Sequence, residues 1–331
     1  MSDKVLVTGP SLAPAAVRLL EAANLEPVYV PAYAQGEGLI DAVRAAQPVG
    51  ILSRMGRIDA AVFEAAPGLR VISKHGVGVD NINIDLASAH GVPVLVATGA
   101  NAVSVAEHAM ALLFAVAKKL LPLDAGLRAG RWEKPGFKGR ELAGSRLGLV
   151  AFGSIARQMA AYAQAFGMQV AAFDPFCPDE VFAQTGVTRI ATLDELISGC
   201  DVISLHSPLT PETRNMIDAR RLAMMRPDAI VINTGRGGLI DEAALAAALG
   251  AGRIAGAGLD TFAQEPPAAD HPFWSEPRLV MTPHIGGVTT AANERVGVDA
   301  AQGIIDVLAG RPVAPARIVN RAALSAPLAG A

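Results

Sequence analysis

Residues 146–175, RLGLVAFGSIARQMAAYAQAFGMQVAAFDP, read as a strand, a glycine-containing turn, a helix, a second turn at Gly167 and a second strand ending in an acid. Such a unit can bind a dinucleotide. Backbone N–H groups at the helix start approach a pyrophosphate, and an acid ending the second strand holds the adenosine ribose hydroxyls. Gly153 and Asp174 take those two places. Of the three positions that usually carry glycine, only the middle one does, because Ala151 and Ala156 stand first and third. Ala156 needs only close helix packing, whereas the Ala151 methyl restricts a tight turn that glycine permits. Ile155, Met159, Tyr162, Ala163 and Phe166 form the expected buried stripe of the helix. An ordinary βαβ unit with an incidental acid would be spelled the same way. Asp174 followed by Pro175, with no arginine beside it, favours NAD over NADP.

The elements that must position this unit follow from hydrophobic patterning. β-rich runs alternate with Ala- and Leu-rich helical stretches, the pattern of parallel sheets with crossover helices. Strands are expected over 4–8 and near Val28, Ile51, Val71 and Val94, making one small doubly wound sheet. A helical stretch over 101–121 carries Val105, Ala109, Leu112, Leu113 and Val116 at helical spacing, and a polar, glycine-rich loop covers 126–144. From Leu147 a second series begins, with strands near Val170, Val202, Val231, Ala257 and Val280, for a sheet of six or seven strands. Thr192 and Glu195 have capping-box spacing ahead of a short helix, and a last helical stretch over 291–308 can return the chain to the first domain.

Composition narrows the function classes. The chain has 331 residues, 51% of them hydrophobic, which is roughly two domains with full cores and excludes a disordered chain or a disulfide-stapled miniprotein. Lys and Arg total 28 against 31 Asp and Glu, a net charge of −3, and without a basic run this argues against a nucleic-acid partner. The longest apolar stretch, 109–117, falls short of the ~20 residues that cross a bilayer, and the N-terminus is unlike a secretory signal. Cys177 and Cys200 lack disulfide-framework or zinc-ligand spacing, and the adjacent Glu107 and His108 point apart on a helix. We therefore expect a cytoplasmic protein without a membrane partner or a metal.

Several further motifs run in order along the chain: KHGVGVDNI at 74–82, NAVSVAEH at 101–108, SLHSPLTPET at 204–213, NTGRGGLIDE at 233–242, LDTFAQEPP at 259–267 and TPHIGG at 282–287. Together with the turn at 151–156 they make the chain resemble the D-isomer-specific 2-hydroxyacid dehydrogenases, a family that includes phosphoglycerate, hydroxypyruvate, glyoxylate and D-lactate dehydrogenases. The resemblance implies an α/β protein of two doubly wound parallel-sheet domains. A Rossmann NAD-binding domain, 100–287, is inserted in a discontinuous flavodoxin-like substrate domain, 1–99 plus 288–331, with a hinge near Gly99 and Gly286. It also implies a homodimer formed through the long helix and loop after Ser104.

The same resemblance carries the catalytic trio onto Arg236, Glu265 and His284. Reduction of a 2-keto acid needs a proton donor at the carbonyl oxygen, and histidine titrates nearest working pH. A carboxylate beside the histidine orients it and favours its protonated form. The planar fork of an arginine suits a carboxylate or keto oxygen. Cofactor contacts are implied at Ser104, Gly153, Ser154, Ile155, Asp174, Ser207, Pro208, Thr234, Asp260, His284 and Gly287. In HGVGVDN, Gly76 and Gly78 allow successive N–H groups, including that of Val77, to converge on a substrate carboxylate, although a glycine turn shaped for geometry alone would look alike. Arg54 could reach the distal end of a substrate. Phosphoglycerate-type members usually read Arg-Ser where this chain reads Ser53-Arg54, and many carry a C-terminal regulatory extension. The expected substrate is therefore hydroxypyruvate, glyoxylate or a larger 2-keto acid, with phosphoglycerate as the alternative. A non-catalytic NAD-sensing co-repressor is the rival of another class.

Overall fold

Five short apolar runs near the N-terminus pair as one parallel sheet: β1 (Asp3–Val7), β2 (Leu25–Tyr29), β3 (Gly50–Ser53), β4 (Val71–Lys74) and β5 (Val94–Val96), in the order β2-β1-β3-β4-β5. This is the flavodoxin-like order. The structure is a computed structural model that describes residues 2–32 and 34–324. Strands covered on both faces must be apolar throughout. Val5, Val7, Leu52 and Val71 pack with Ala16 and Leu20 of the helix Pro14–Ala22 and with Ala300 and Ile304 of the helix Thr290–Leu308. Leu6, Ile51 and Ile72 pack with Leu39, Val43 and Val62. The edge strand β5 is covered by the returning chain. Leu95 forms an antiparallel bridge to Ile318, and the Asn320 side chain accepts from Val94 N–H at 2.9 Å and donates to the Val92 carbonyl at 2.9 Å.

The second unit is the stretch Ala102–Gly287, so the chain leaves the first unit after Asn101 and re-enters it at Val288. Its sheet comprises β6 (Arg146–Val150), β7 (Gln169–Phe173), β8 (Thr188–Arg189), β9 (Val202–Leu205), β10 (Ile230–Asn233), β11 (Gly256–Leu259) and β12 (Leu279–Met281). All are parallel in the order β12-β11-β10-β9-β6-β7-β8, the Rossmann arrangement. Leu147, Leu149, Ile230 and Ile232 pack against the helices Ala102–Lys118 and Ser154–Ala165. Ile203, Val231 and Ala257 pack with Leu196, Leu222 and Leu245. Thr192 and Glu195 do form a reciprocal capping box on the helix Leu193–Gly199.

Two local elements differ from the expectation. The helical stretch after Asn101 breaks at Lys119, which is left-handed at φ 52°, and a second helix, Leu120–Arg128, occupies the start of the expected loop. The cause is Pro122, whose ring would clash with the Lys118 carbonyl in a continuous helix but is tolerated in a first turn. The helix Ser154–Ala165 buries Ala156, Met159, Ala160 and Ala163, while Phe166 caps it outside, edge-on to Phe114 at 4.8 Å. The small residues bring the helix close to the sheet. Finally, β8 carried no hydrophobic signal because both of its residues are exposed.

Candidate active site

Asp260 follows β11 and is almost wholly buried. Its carboxylate accepts from the Thr282 hydroxyl at 2.6 Å, Ile285 N–H at 2.9 Å and Gly286 N–H at 2.7 Å, and its backbone carbonyl accepts from His284 N–H at 2.7 Å. His108 Nε2 joins Thr282 Oγ1 at 2.8 Å. Burial would raise the Asp260 carboxyl, but the bond from His108, whose Nε2 also lies 3.4 Å from Asp260 Oδ1, with those from Thr282, Ile285 and Gly286, outweighs it and holds it below the usual carboxylate range. One ionised side chain thus grips the turn after β12 on both sides of His284, which sits at φ 55°. Asp260, expected from the sequence to contact the cofactor, thus has a second task, which joins it to His108 and to a turn more than 20 residues away.

The turn brings His284 Nδ1 to 2.7 Å from Glu265 Oε2, and Glu265 Oε1 accepts from Phe262 N–H at 3.0 Å. Burial again works to raise the Glu265 carboxyl. The bonds from His284 and Phe262, with the charge of His284 and Arg236, hold it lower, so it is ionised beside the imidazole. Arg236 follows β10 on a turn tied by Asn233, whose side chain donates to the Arg236 carbonyl at 2.9 Å and accepts from Gly235 N–H at 3.0 Å. Next to it, Gly237 lies so near the Phe262–Ala263 backbone that a Cβ would stand 1.8 Å from the Phe262 carbonyl carbon. The predicted trio is therefore assembled within this unit.

The dinucleotide turn lies in the same unit. Ala151 adopts φ 68°, the left-handed conformation that a methyl group disfavours. Asp174 Oδ2 accepts from Phe152 N–H at 2.8 Å, and Oδ1 accepts from Phe176 N–H at 2.8 Å and Cys177 N–H at 3.1 Å. The acid expected to meet a ribose also fastens the turn. Arg189, which β8 brings alongside, bonds the Asp174 carbonyl at 3.2 Å and pairs with Asp179. Gly153 is the exposed N-cap of the helix Ser154–Ala165, with no side-chain cap and open space where a Cβ would be. Ser104, Ser207 and Thr234 are buried, and the Thr234 hydroxyl has no hydrogen-bond partner. Pro208 accepts from the Thr213 hydroxyl at 2.7 Å, while Ile155 is half-buried and Gly287 ends the unit. An uncapped helix start, an unobstructed glycine and an orphan hydroxyl fit a dinucleotide pyrophosphate and its flanking groups. Ala151→Gly is expected to raise stability by ~0.5–1 kcal/mol, read as a higher urea midpoint at unchanged m-value.

Besides Arg236, the residues expected to meet substrate, Arg54 and Gly76 to Gly78, belong to the first unit, just past the carboxyl ends of β3 and β4, where open α/β sheets bind ligands. Arg54 N–H donates to Thr8 Oγ1 at 2.8 Å, and its guanidinium bonds the Ser11 carbonyl. Lys74 Nζ donates to Asn81 Oδ1 at 2.7 Å. Gly76 has φ 135°, beside the exposed Val77 and the half-buried Gly78.

Two other histidines stay neutral. His206, bonded to Ser204 Oγ at 3.0 Å, is pushed down to about 4 by burial. His75 is pushed to about 4 by burial and then by the charges of Arg54 and Lys74, against opposing backbone hydrogen bonds. Both values lie below the unfolded one near ~6.5, so their stability contribution is complete above that pH and is lost as pH falls towards 4. Each is expected to contribute a slope of up to ~1.4 kcal/mol per pH unit in that window. Urea unfolding across pH should show a shallower acid slope for His206→Gln.

These features define an α/β protein in which Glu265 and His284, with the charge of Arg236 near them, share a unit with a turn that fits a dinucleotide. The model of the D-isomer specific 2-hydroxyacid dehydrogenase NAD binding domain matches residues 110–286, and the chain belongs to that family. It is 43% identical over 253 residues to the D-3-phosphoglycerate dehydrogenase of Mycobacterium leprae, covering 76% of this chain and 48% of the relative. The chain thus spans about half the length of that relative. It is 43% identical to the (S)-sulfolactate dehydrogenase of Chromohalobacter salexigens over 72% of this chain and 78% of that one. The TT0316 protein of Thermus thermophilus superposes with a TM-score of 0.85 at 35% identity, over 96% of this chain and 99% of the other.

Proposed function

We propose that the protein is an NAD(H)-dependent D-2-hydroxyacid dehydrogenase that interconverts a D-2-hydroxy acid and its 2-keto acid. The observation that carries this reading is the 2.7 Å contact of His284 with Glu265, which remains ionised near Arg236. Ser104, Gly153, Ser154, Ile155, Asp174, Ser207, Pro208, Thr234, Asp260, His284 and Gly287 would hold NAD. When bound, NAD(H) supplies or accepts the hydride. His284 has Nδ1 committed to Glu265, which leaves Nε2 to give a proton to the carbonyl oxygen during reduction and to take it back during oxidation. Glu265 stabilises the imidazolium and fixes the ring. Arg236 presents paired donors to the substrate carboxylate or keto oxygen. The N–H groups of 76–78 receive the carboxylate, and Arg54 meets the distal end.

Glyoxylate, hydroxypyruvate or a larger 2-keto acid is the first substrate reading. A phosphorylated substrate is the second, supported by the phosphoglycerate relatives and by Arg54 and Lys74 at the carboxyl ends of the adjacent strands β3 and β4. The test is NADH oxidation against glyoxylate, hydroxypyruvate, pyruvate, phenylpyruvate, 2-ketoisocaproate and 3-phosphohydroxypyruvate. Turnover identifies the substrate, while silence despite tight NADH binding overturns the enzyme reading in favour of an NAD-sensing protein. A native preference for NADPH would overturn the cofactor assignment.

A cytoplasmic homodimer belongs to the same proposal. No helix among the described residues is long and apolar enough to cross a membrane, and Cys177 and Cys200 are free thiols. Ala109, Leu112 and Leu113 are buried in their own unit, so the surface offered to a second copy is Leu120, Leu121, Leu127 and Trp132, each at least half exposed. Light scattering should return twice the 34.1 kDa chain mass.

A further inference from the structure

A second His–Glu pair stands behind the first. Glu242 is the first residue of the helix Glu242–Gly250, whose cap is Asp241 accepting from Ala244 N–H. The Glu242 side chain takes no part in that cap. Its Oε1 accepts from Ala263 N–H at 2.8 Å and its Oε2 meets His271 Nε2 at 3.2 Å. Both side chains are more than four-fifths buried. His271 Nδ1 accepts from Phe273 N–H, which assigns the ring proton to Nε2 and makes the histidine the donor to Glu242. The imidazole is walled by Phe273 at 4.7 Å, Trp274 at 5.9 Å and Phe262 at 6.3 Å. Trp274 Nε1 in turn donates to the Ala268 carbonyl at 3.0 Å.

Consecutive N–H groups are therefore divided between two carboxylates, Phe262 to Glu265 and Ala263 to Glu242. Glu265 bonds its own loop at Phe262 and reaches out of it only to His284, whereas Glu242 fastens the loop to a helix, and His271 fastens Glu242 to the far end of the same loop. A buried carboxylate with two such donors is costly to leave half-satisfied, so the arrangement resists displacement.

We propose that Glu242 and His271 are positioning residues that lock the Phe262–Glu265 loop and thereby set the distance from Glu265 to His284. This rests on the dehydrogenase reading for its kinetic consequence but not for its structural one. The test compares Glu242→Ala, Glu242→Gln, Glu265→Gln and the Glu242→Ala/Glu265→Gln double variant. Two readouts are taken: kcat and KM with the best keto acid, and amide hydrogen exchange at Phe262 and Ala263 in the protein alone. Glu242→Ala should lower kcat about tenfold with KM within about twofold, and Glu242→Gln, which keeps an acceptor, should recover at least about threefold of that loss. In the Glu265→Gln background the same Ala substitution should change kcat less than about twofold, because the pair acts through Glu265. Exchange at Phe262 and Ala263 should rise at least about tenfold in Glu242→Ala. An equal kcat loss in both backgrounds, or unchanged exchange at Phe262, overturns the proposal. Should the wild type reduce no keto acid, the function assignment fails and the exchange result still decides the positioning role.

Discussion

His284→Ala is expected to lower kcat for keto-acid reduction by ~10²–10⁴ while leaving NADH affinity within a few-fold. The ring and the turn that presents it are held separately. Asp260 holds that turn through the backbone N–H groups of Ile285 and Gly286 and the Thr282 hydroxyl, and none of these depends on the imidazole. Alanine is disfavoured at φ 55° somewhat more than histidine, but the bonds from Asp260 hold the turn in that conformation. What disappears is the proton donor and the partner of Glu265. The hydrogen bond from His284 is the largest influence lowering the Glu265 carboxyl, so the variant should also show that group titrating higher. Steady-state NADH oxidation and a fluorescence titration of NADH measure the two quantities. A kcat loss below about tenfold would remove His284 from the role of acid and base.

Gly237→Ala should destabilise the protein by ~3 kcal/mol or more, or prevent folding. The added methyl would lie 1.8 Å from Phe262 C, 2.2 Å from Ala263 N and 2.3 Å from Phe262 O. All three are backbone atoms and cannot rotate aside. Either the Arg236 turn or the loop carrying Glu265 must therefore move, and activity per folded molecule should fall with stability. Gly238→Ala supplies the contrast, because its methyl would meet only side chains, with Leu209 nearest at 3.0 and 3.2 Å. It should cost ~1 kcal/mol. Comparable urea midpoints for the two variants would contradict the close-approach argument.

Both sheets were legible because strands covered on two faces must be apolar throughout, which marks them as runs. The two-residue β8 buries nothing and left no mark. The break at Lys119 was hidden because the apolar period continues through Leu120 and Leu121, although Pro122 was there to be read. Within the site, Arg236, Glu265 and His284 sit in motifs whose local spelling identifies them. The contacts that hold them and the dinucleotide turn do not: Asp260 with Ile285, Glu242 with Ala263 and Asp174 with Phe152 join residues more than 20 positions apart. Those pairings arise from which strands lie side by side, and no short window of sequence carries that information.

The point at which the chain leaves and re-enters its first unit also fixes an order of assembly. Ribosomal synthesis delivers β1 to β5 first, yet the Ala300 and Ile304 side chains that complete one face of that sheet come roughly 200 residues later. The same holds for the β5 edge, whose Val94 N–H waits for Asn320, a separation of 226 positions. The cofactor unit, by contrast, is one uninterrupted stretch from Ala102 to Gly287 and contains all its own strands. During translation the half that emerges first must remain unfinished while the half that emerges second closes its core. In the interval the unpaired β5 edge and the bare apolar face of β1, β3 and β4 are where a nascent chain would be vulnerable to misassociation.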